Sequence, residues 1–306
     1  MTTENRKPKT ENGFKCGYIA LVGFPNVGKS TLLNRFLGEK LSITSPKPQT
    51  TRRRLLGIVN LPAGQLLFLD TPGILQPKGT LNAALVQAAL TALAEADVVV
   101  WLVEPRPPDP GDPVLAPHLH HLSRPLIVAI NKVDLVAKPK LLPLMEAYHE
   151  LFPRALIIPI SALTGDGLPD LLAEIVQALP AAPPLYPEEQ LTDQQERSLV
   201  GEIIRERLLH HLAQEVPYAV AVQVEEFDES RRPELVRIQA VIYVERDSQK
   251  GMVIGRQGHM LKTIGQEARA QIEAMLGAHV FLDLRVKVWK NWRRDPKAIR
   301  IFGYQG

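Results

Sequence analysis

Disulfide chemistry is excluded first: Cys16 is the only cysteine in 306 residues, and one thiol cannot close an internal bridge. Long apolar runs are also lacking. "ADVVVWLV" and "PLIVAI" are strand-length, well short of the roughly 20 residues a spanning helix needs. The opening "MTTENRKPKTENGF" carries charge without an apolar core, so it does not read as a secretory signal. These absences fit a soluble protein of the reducing cytosol, whose membrane contact would be peripheral. Neither sign of charge dominates, since 36 Lys+Arg against 33 Asp+Glu leaves +3. The chain as a whole is therefore no polycation.

What is present is enough apolar material, 45% of residues, to bury real cores. The length favours two domains. Residues 1–14 read as a disordered polar extension. From 15 to 180, strands ("CGYIALVG", "QLLFLD", "DVVVWLVE", "RPLIVAINK", "ALIIPIS") alternate with helices ("KSTLLNRFLG", "LNAALVQAALTALAEA", 140–151, 167–179). Continuously apolar strands between helices predict an α/β domain with a mostly parallel sheet and helices on both faces. The Pro-rich segment 104–117 reads as a loop, and 181–192 as a linker. Residues 193–306 change pattern: a helix (193–214), strands at 219–227 and 235–245, a Gly-rich helical stretch, and a strand at 279–290. That is a smaller α+β domain.

"GFPNVGKS", Gly23 to Ser30, satisfies G-x-x-x-x-G-K-[ST] between a strand and a helix. Backbone amides of Gly23, Asn26, Val27 and Gly28 can wrap phosphates, with Thr31 close behind. Lys29 can reach the β/γ-phosphates, and Ser30 can ligate Mg²⁺. Asp70 closes an apolar strand, where it can hold the Mg²⁺ shell, and the Gly73 amide can meet the γ-phosphate. "NKVD" supplies Asp134 for the N1 and N2 hydrogens of guanine, with Asn131 bracing and the Lys132 stem over the base. "ISAL" adds Ser161 and the Ala162 amide, a donor for guanine O6. One position is discordant. In "DTPGIL" the residue after Gly73, where many nucleotide hydrolases carry a water-orienting Gln, is Ile74.

In the second domain, "GRQG" (Gly255, Arg256, Gln257, Gly258) joins "GMVIG" to a helical "HMLKTIGQEARAQIEAML" after two strands and before a third. This is the arrangement of a KH module, whose G-x-x-G loop clamps single-stranded backbone. Arg256 and Lys262 supply charge, and Val253, Ile254 and Ile264 are candidates for an apolar groove. From Arg285 to Arg300 the basic residues Arg285, Lys287, Lys290, Arg293, Arg294, Lys297 and Arg300 stand against one acid, Asp295. Trp289, in strand register with apolar neighbours, is assigned to the core. Trp292, Lys290, Arg293 and Arg294 are assigned to RNA.

Together "GFPNVGKSTLLN", "KLSITSPKPQTTR", "DTPGI", "NKVD", "ISAL", "EVPYAVAVQVEEF", "VIGRQGHMLKTIG" and "VFLDLRVKVWKNWRR" make the chain, from Cys16 onward, resemble the Era-like GTPases. The resemblance implies a P-loop GTPase domain followed by a type II KH domain. It makes Gln49, Thr50, Thr51, Arg52 and Arg53 switch I, with Thr51 a second Mg²⁺ hydroxyl and Thr50 the fallback. It also makes Ile74 expected, and it suggests a K⁺ ion at Asn26 that assists GTP hydrolysis. Its implied partner is the 3′ end of 16S rRNA in assembly of the small (30S) ribosomal subunit. The implied place is the cytoplasm, with peripheral association at the inner face of the cell membrane, and the expected state is a monomer. A non-hydrolysing RNA-binding scaffold with GTP as a structural ligand is the runner-up. A P-loop kinase or ATPase is opposed by Asp134, which finds no matching donor pair on adenine.

Overall fold

The computed structural model describes residues 13–77, 79–108 and 114–304. Of the polar extension 1–14, only Gly13 and Phe14 therefore fall among the described residues.

The first unit runs β1 (Lys15–Val22), α1 (Lys29–Leu37), β2 (Leu55–Leu61), β3 (Gly64–Asp70), α2 (Thr80–Glu95), β4 (Val98–Val103), α3 (Ala116–His120), β5 (Leu126–Ile130), α4 (Leu141–Leu151), β6 (Leu156–Pro159) and α5 (Leu168–Ala178). The sheet order is β2-β3-β1-β4-β5-β6, and β2 alone is antiparallel to its neighbour. Side-chain alternation builds the two layers. Ile19 and Leu21 of β1 join a core with Leu32 and Leu33 of α1 and Ile175 of α5. The intervening Ala20 and Val22 join the opposite core, with Ala89 of α2 and Tyr148 of α4. A strand buried on both faces has to be apolar throughout, which is why these runs are continuous.

The sequence reading missed β2. Gly57 interrupts its apolar run, and the reason is packing: a Cβ there would lie 2.5 Å from Leu33 Cδ1. The glycine lets α1 settle onto the sheet.

Residues 181–191 are laid along the sheet as a strap. Leu191 O accepts from Ile58 N–H of β2 (2.9 Å). The buried Gln65 amide accepts from Leu185 and Tyr186 N–H (2.8 and 2.9 Å) and donates to Tyr186 O (2.8 Å). The strap thus occupies the backbone edge that an outermost strand leaves open.

The second unit contains α6 (Glu196–His211), β7 (Ala221–Arg231), β8 (Leu235–Val244), α7 (Asp247–Ile254), α8 (His259–Leu276), β9 (Val280–Val288) and α9 (Pro296–Ile301). Its sheet is β7-β8-β9, with β7 antiparallel and β9 parallel to β8. The expected helical stretch is two helices broken at the GRQG turn, and α9 was not expected. Val253 and Ile264, proposed for the groove, are instead fully buried in this unit's core.

Trp292 is the clearest correction. It is 0% exposed and donates its indole N–H to Ala219 O (2.8 Å). Its cluster, with Leu81 and Leu85 of α2 and Ile299 and Phe302 at α9, ties the two units together. β9 ends at Val288, and Asn291, whose left-handed φ of 55° turns the chain, carries Trp292 inward and away from the basic neighbours that suggested an RNA contact. Trp289 is half-buried against the same cluster.

Candidate functional site

The sequence motifs converge at the carboxyl ends of β1, β3, β4, β5 and β6, where α/β sheets bind ligands. The P-loop is shaped by steric necessity. Gly28 has φ 105°, and a Cβ on it would lie 2.2 Å from Asn131 Nδ2. α1 begins at Lys29, so the helix N-terminus and its amides open into a cavity of about 460 Å³. Asn26, Gly28, Lys29, Ser30, Thr31, Thr51, Gly73 and Lys132 are among its lining residues.

Lys29 is buried, and in this structure its ammonium rests on Gly23 O (3.2 Å) and Phe24 O (2.9 Å). Burial lowers its pKa to about 8, against the opposing pull of Asp70. Burial likewise pushes Asp70 up, while Lys29, Ser30 and Ser42 hold it down. Ser30 and Ser42 each donate to Asp70 Oδ2 at 2.7 Å, and Ser30 Oγ lies 2.9 Å from Thr51 Oγ1. The buried Asp70 Oδ1 has no hydrogen-bond partner among the described residues. Two hydroxyls and an under-satisfied buried carboxylate are the hard oxygen donors that Mg²⁺ takes, usually with waters and substrate phosphates. The residues present therefore fit the ion. Thr50, the fallback, turns away and donates to Lys47 O (2.6 Å).

At the base end, Asn131 joins two loops. Its Nδ2 donates to Val27 O (2.6 Å) and its Oδ1 accepts from Ala162 N–H (2.8 Å). The Ala162 amide, expected to meet guanine O6, is thus spent on bracing. Ser161 donates to Asp134 Oδ1 (2.6 Å), fixing that carboxylate. Lys132 adopts φ 66° and pairs with Glu104 (2.7 Å). Glu104, which the sequence reading did not single out, also lines the cavity.

Ile74 is 1% exposed and packed with Ala20, Val22 and Trp101. Its N–H donates to Gly23 O (3.1 Å). The position that carries Gln in other hydrolases is here a core residue that pins the segment, and Gly73 lies against Pro25 of the P-loop.

Switch I reaches into the second unit. Gln49 stays within the first unit, donating to Asn82 of α2 (3.2 Å), but Thr50 O accepts from Arg205 of α6. Arg52 is 1% exposed and donates to Val220 O (2.6 Å) and Tyr218 O (2.9 Å). Its guanidinium lies 5.7 Å from the Trp292 ring centroid and 5.6 Å from that of Tyr304. Arg53 donates to Phe302 O (2.6 Å). An arginine run normally signals solvent or nucleic acid, so no sequence cue marked these side chains as buried.

The GRQG turn is exposed at Arg256 and Gln257, with Ile254 half-buried behind it. Gly255 has φ 72°, and a Cβ there would lie 2.5 Å from Met260 Cβ. From Gly258 a groove of about 430 Å³ runs between α8 and β9, lined in part by Leu261, Lys262, Arg269, Phe281 and Leu284. Lys290 is exposed. Arg293 pairs with Glu245 (2.5 Å). With Arg294 it lines a different cavity, of about 720 Å³, facing Gln49 and Asn82. Lys262 and the GRQG turn thus share a groove that does not include Arg293 or Arg294.

A family model described as "50S ribosome-binding GTPase" matches residues 18–132, and one described as "KH domain" matches residues 215–293. The GTPase Era of Geotalea daltonii is 48% identical over 298 residues, 97% of this chain and 100% of the relative. That of Lacticaseibacillus paracasei is 47% identical, over 94% of this chain and 96% of the relative.

This chain belongs to the Era GTPase family.

Two Era crystal structures superimpose over nearly the whole chain. One holds MgGDPNP and nucleotides 1506–1542 of 16S ribosomal RNA, with TM-score 0.90 at 42% identity, covering 96% of this chain and all of that one. The other, an Aquifex aeolicus Era variant bound to GDP·AlF4⁻, gives TM-score 0.89 at 42% identity, covering 95% and 100%. Era membership brings GTPase activity with it, which displaces the non-hydrolysing scaffold and the kinase readings. Among the described residues, no helix is long and apolar enough to cross a membrane.

Proposed function

We propose that the chain is a GTP-hydrolysing switch that binds the single-stranded 3′ end of 16S rRNA during assembly of the 30S subunit. One observation carries the coupling. Thr51 lies beside Ser30 at the Mg²⁺ position, while Thr50 and Arg52 on either side of it are bonded to the second unit. Withdrawing Thr51 after hydrolysis pulls on both attachments, so each ligand biases the state that the other prefers.

In this reading the amides of Gly23, Asn26, Val27 and Gly28, with Lys29 and Thr31, hold the phosphates. Ser30, Thr51 and Asp70 hold Mg²⁺, which neutralises charge developing on the phosphates. The Gly73 amide meets the γ-phosphate, and Asp134 reads guanine on a frame built by Asn131, Lys132, Ser161 and Ala162. Backbone groups place the water, since Ile74 is committed to the core. The RNA passes over Ile254 to Gly258 and Lys262, with Lys290, Arg293 and Arg294 as outlying phosphate contacts. The family resemblance further suggests a cytoplasmic monomer, peripheral at the inner face of the membrane.

The deciding experiment is GTP hydrolysis by the full chain in K⁺ buffer, with and without an oligonucleotide of the 16S 3′-end sequence. Stimulation by the RNA is expected, and an unchanged rate with saturating RNA would sink the coupling.

A monovalent cation completes the proposal. Asn26 donates its Nδ2 to Pro46 O, just ahead of switch I (2.7 Å). This leaves Oδ1 as an oxygen ligand for K⁺ beside the phosphates. Turnover is expected to be roughly tenfold or more faster in K⁺ than in Na⁺, the scale of one well-placed electrostatic stabiliser. Equal rates in the two buffers would remove the ion from the mechanism.

A further inference from the structure

The groove beside the GRQG turn has a definite polarity. α8 runs from His259 to Leu276, and β9 starts at Val280 and returns alongside it. A Cβ on Gly265 would lie 3.5 Å from Leu284 Cδ1, which sets the register of the two elements. Gly258 therefore stands at one end of the groove, and Arg269 with Phe281 at the other. At about 1.5 Å per helical residue the two ends are roughly 16 Å apart. β9 is the outermost strand of its sheet, so its far edge is open along this length.

Phe281 lines the mouth of this groove and is 57% exposed, the one exposed Phe, Tyr or Trp ring among the described residues. Leu261, Leu282 and Leu284 give the groove an apolar floor. Lys262 and Arg269 line it, and neither makes an ion pair or a side-chain hydrogen bond recorded among the described residues. Free cations beside an apolar trough match a strand with charged backbone and flat bases. A G-x-x-G clamp accounts for about four nucleotides, and the far end of the groove lies beyond the turn that does the clamping.

We propose that Phe281 is a base-stacking platform at the end of the groove remote from the GRQG turn. One unpaired base lies on its ring while Arg269 meets the adjoining phosphate. This rests on the RNA reading above and adds a residue that the sequence did not mark. Stacking tolerates any base, so the platform adds affinity and directionality rather than a letter of sequence.

The test uses the full chain with a GTP analogue, Mg²⁺ and a fluorescein-labelled single-stranded oligonucleotide of the 16S 3′-end sequence, read by anisotropy. Phe281→Ala is expected to weaken binding about tenfold and Phe281→Trp to restore it, with melting temperatures unchanged because the ring is exposed. A scan of single abasic sites along the RNA should find one position at which the wild type falls to the level of Phe281→Ala and the variant loses nothing more. Equal affinity of Phe281→Ala and wild type overturns the platform, as does strict additivity at every abasic position. If Arg269→Ala or Arg256→Ala weakens binding while Phe281→Ala does not, the RNA groove stands and the stack is gone. Wild-type protein that binds guanine nucleotides but no RNA overturns both.

Discussion

Asp134→Asn is expected to lower GTP affinity about a hundredfold or more and to admit xanthosine triphosphate in its place. The size follows from chemistry: a site built to pair polar groups rejects a partner that leaves them unpaired far more strongly than an apolar pocket rejects a misfit. The structure makes the substitution clean. Ser161 donates to Asp134 Oδ1, and an asparagine can keep that bond with its own carbonyl oxygen. What changes is the other atom, from an acceptor facing the N1 and N2 hydrogens to a donor facing the O2 of xanthine. Calorimetric titration of GTP and XTP in Mg²⁺ reads both affinities. A variant that still preferred GTP would place base recognition elsewhere, most directly on the loop holding Ala162.

Arg52→Ala should separate the two activities. Lys29, Ser30, Asp70 and Asp134 are untouched, so GTP binding is expected to survive within a few-fold. RNA affinity, in contrast, should no longer distinguish a GTP analogue from GDP. Stability should also fall, because the carbonyls of Val220 and Tyr218 lose their donors in a buried setting and the rings of Trp292 and Tyr304 lose a cation. Leaving buried acceptors unmet costs about 1–3 kcal/mol each, so a drop of about 2–6 kcal/mol is expected for the two, read as a lower melting temperature. Arg52→Lys should recover only part of this, since an ammonium lacks the planar fork that serves two carbonyls together. Retained nucleotide dependence of RNA binding in Arg52→Ala would show that coupling runs through other contacts. The candidates are Arg53 to Phe302 O and Arg205 to Thr50 O.

The first unit's strands and the nucleotide motifs were legible because each demand was local. A strand covered on both sides must be apolar, a loop around phosphates needs glycine, and the motifs fall where strands end. Ile74 was visible as an anomaly, but its burial was not, since a missing polar group says nothing about where its replacement points. β2 escaped because Gly57 serves a helix far away in sequence. Trp289 follows the strand register into contact with the core, whereas Trp292, read as an RNA contact among its basic neighbours, is carried inward after Asn291 turns the chain with a positive φ. Arg52 was beyond sequence reasoning: a guanidinium belongs in water unless two carbonyls and two rings from another part of the chain enclose it, and that enclosure exists only in three dimensions. The Ala162 amide was assigned to the ligand when a neighbouring side chain already claims it.

The strap along the sheet has a mechanical consequence. Fastened to Gln65 and to Ile58 as far as Leu191, it leaves only Thr192 to Gln195 before α6 begins at Glu196. So short a tether acts as a fulcrum rather than a leash. Any separation of the two halves becomes a swing about one corner, and the released arm returns to its seat at very high effective concentration.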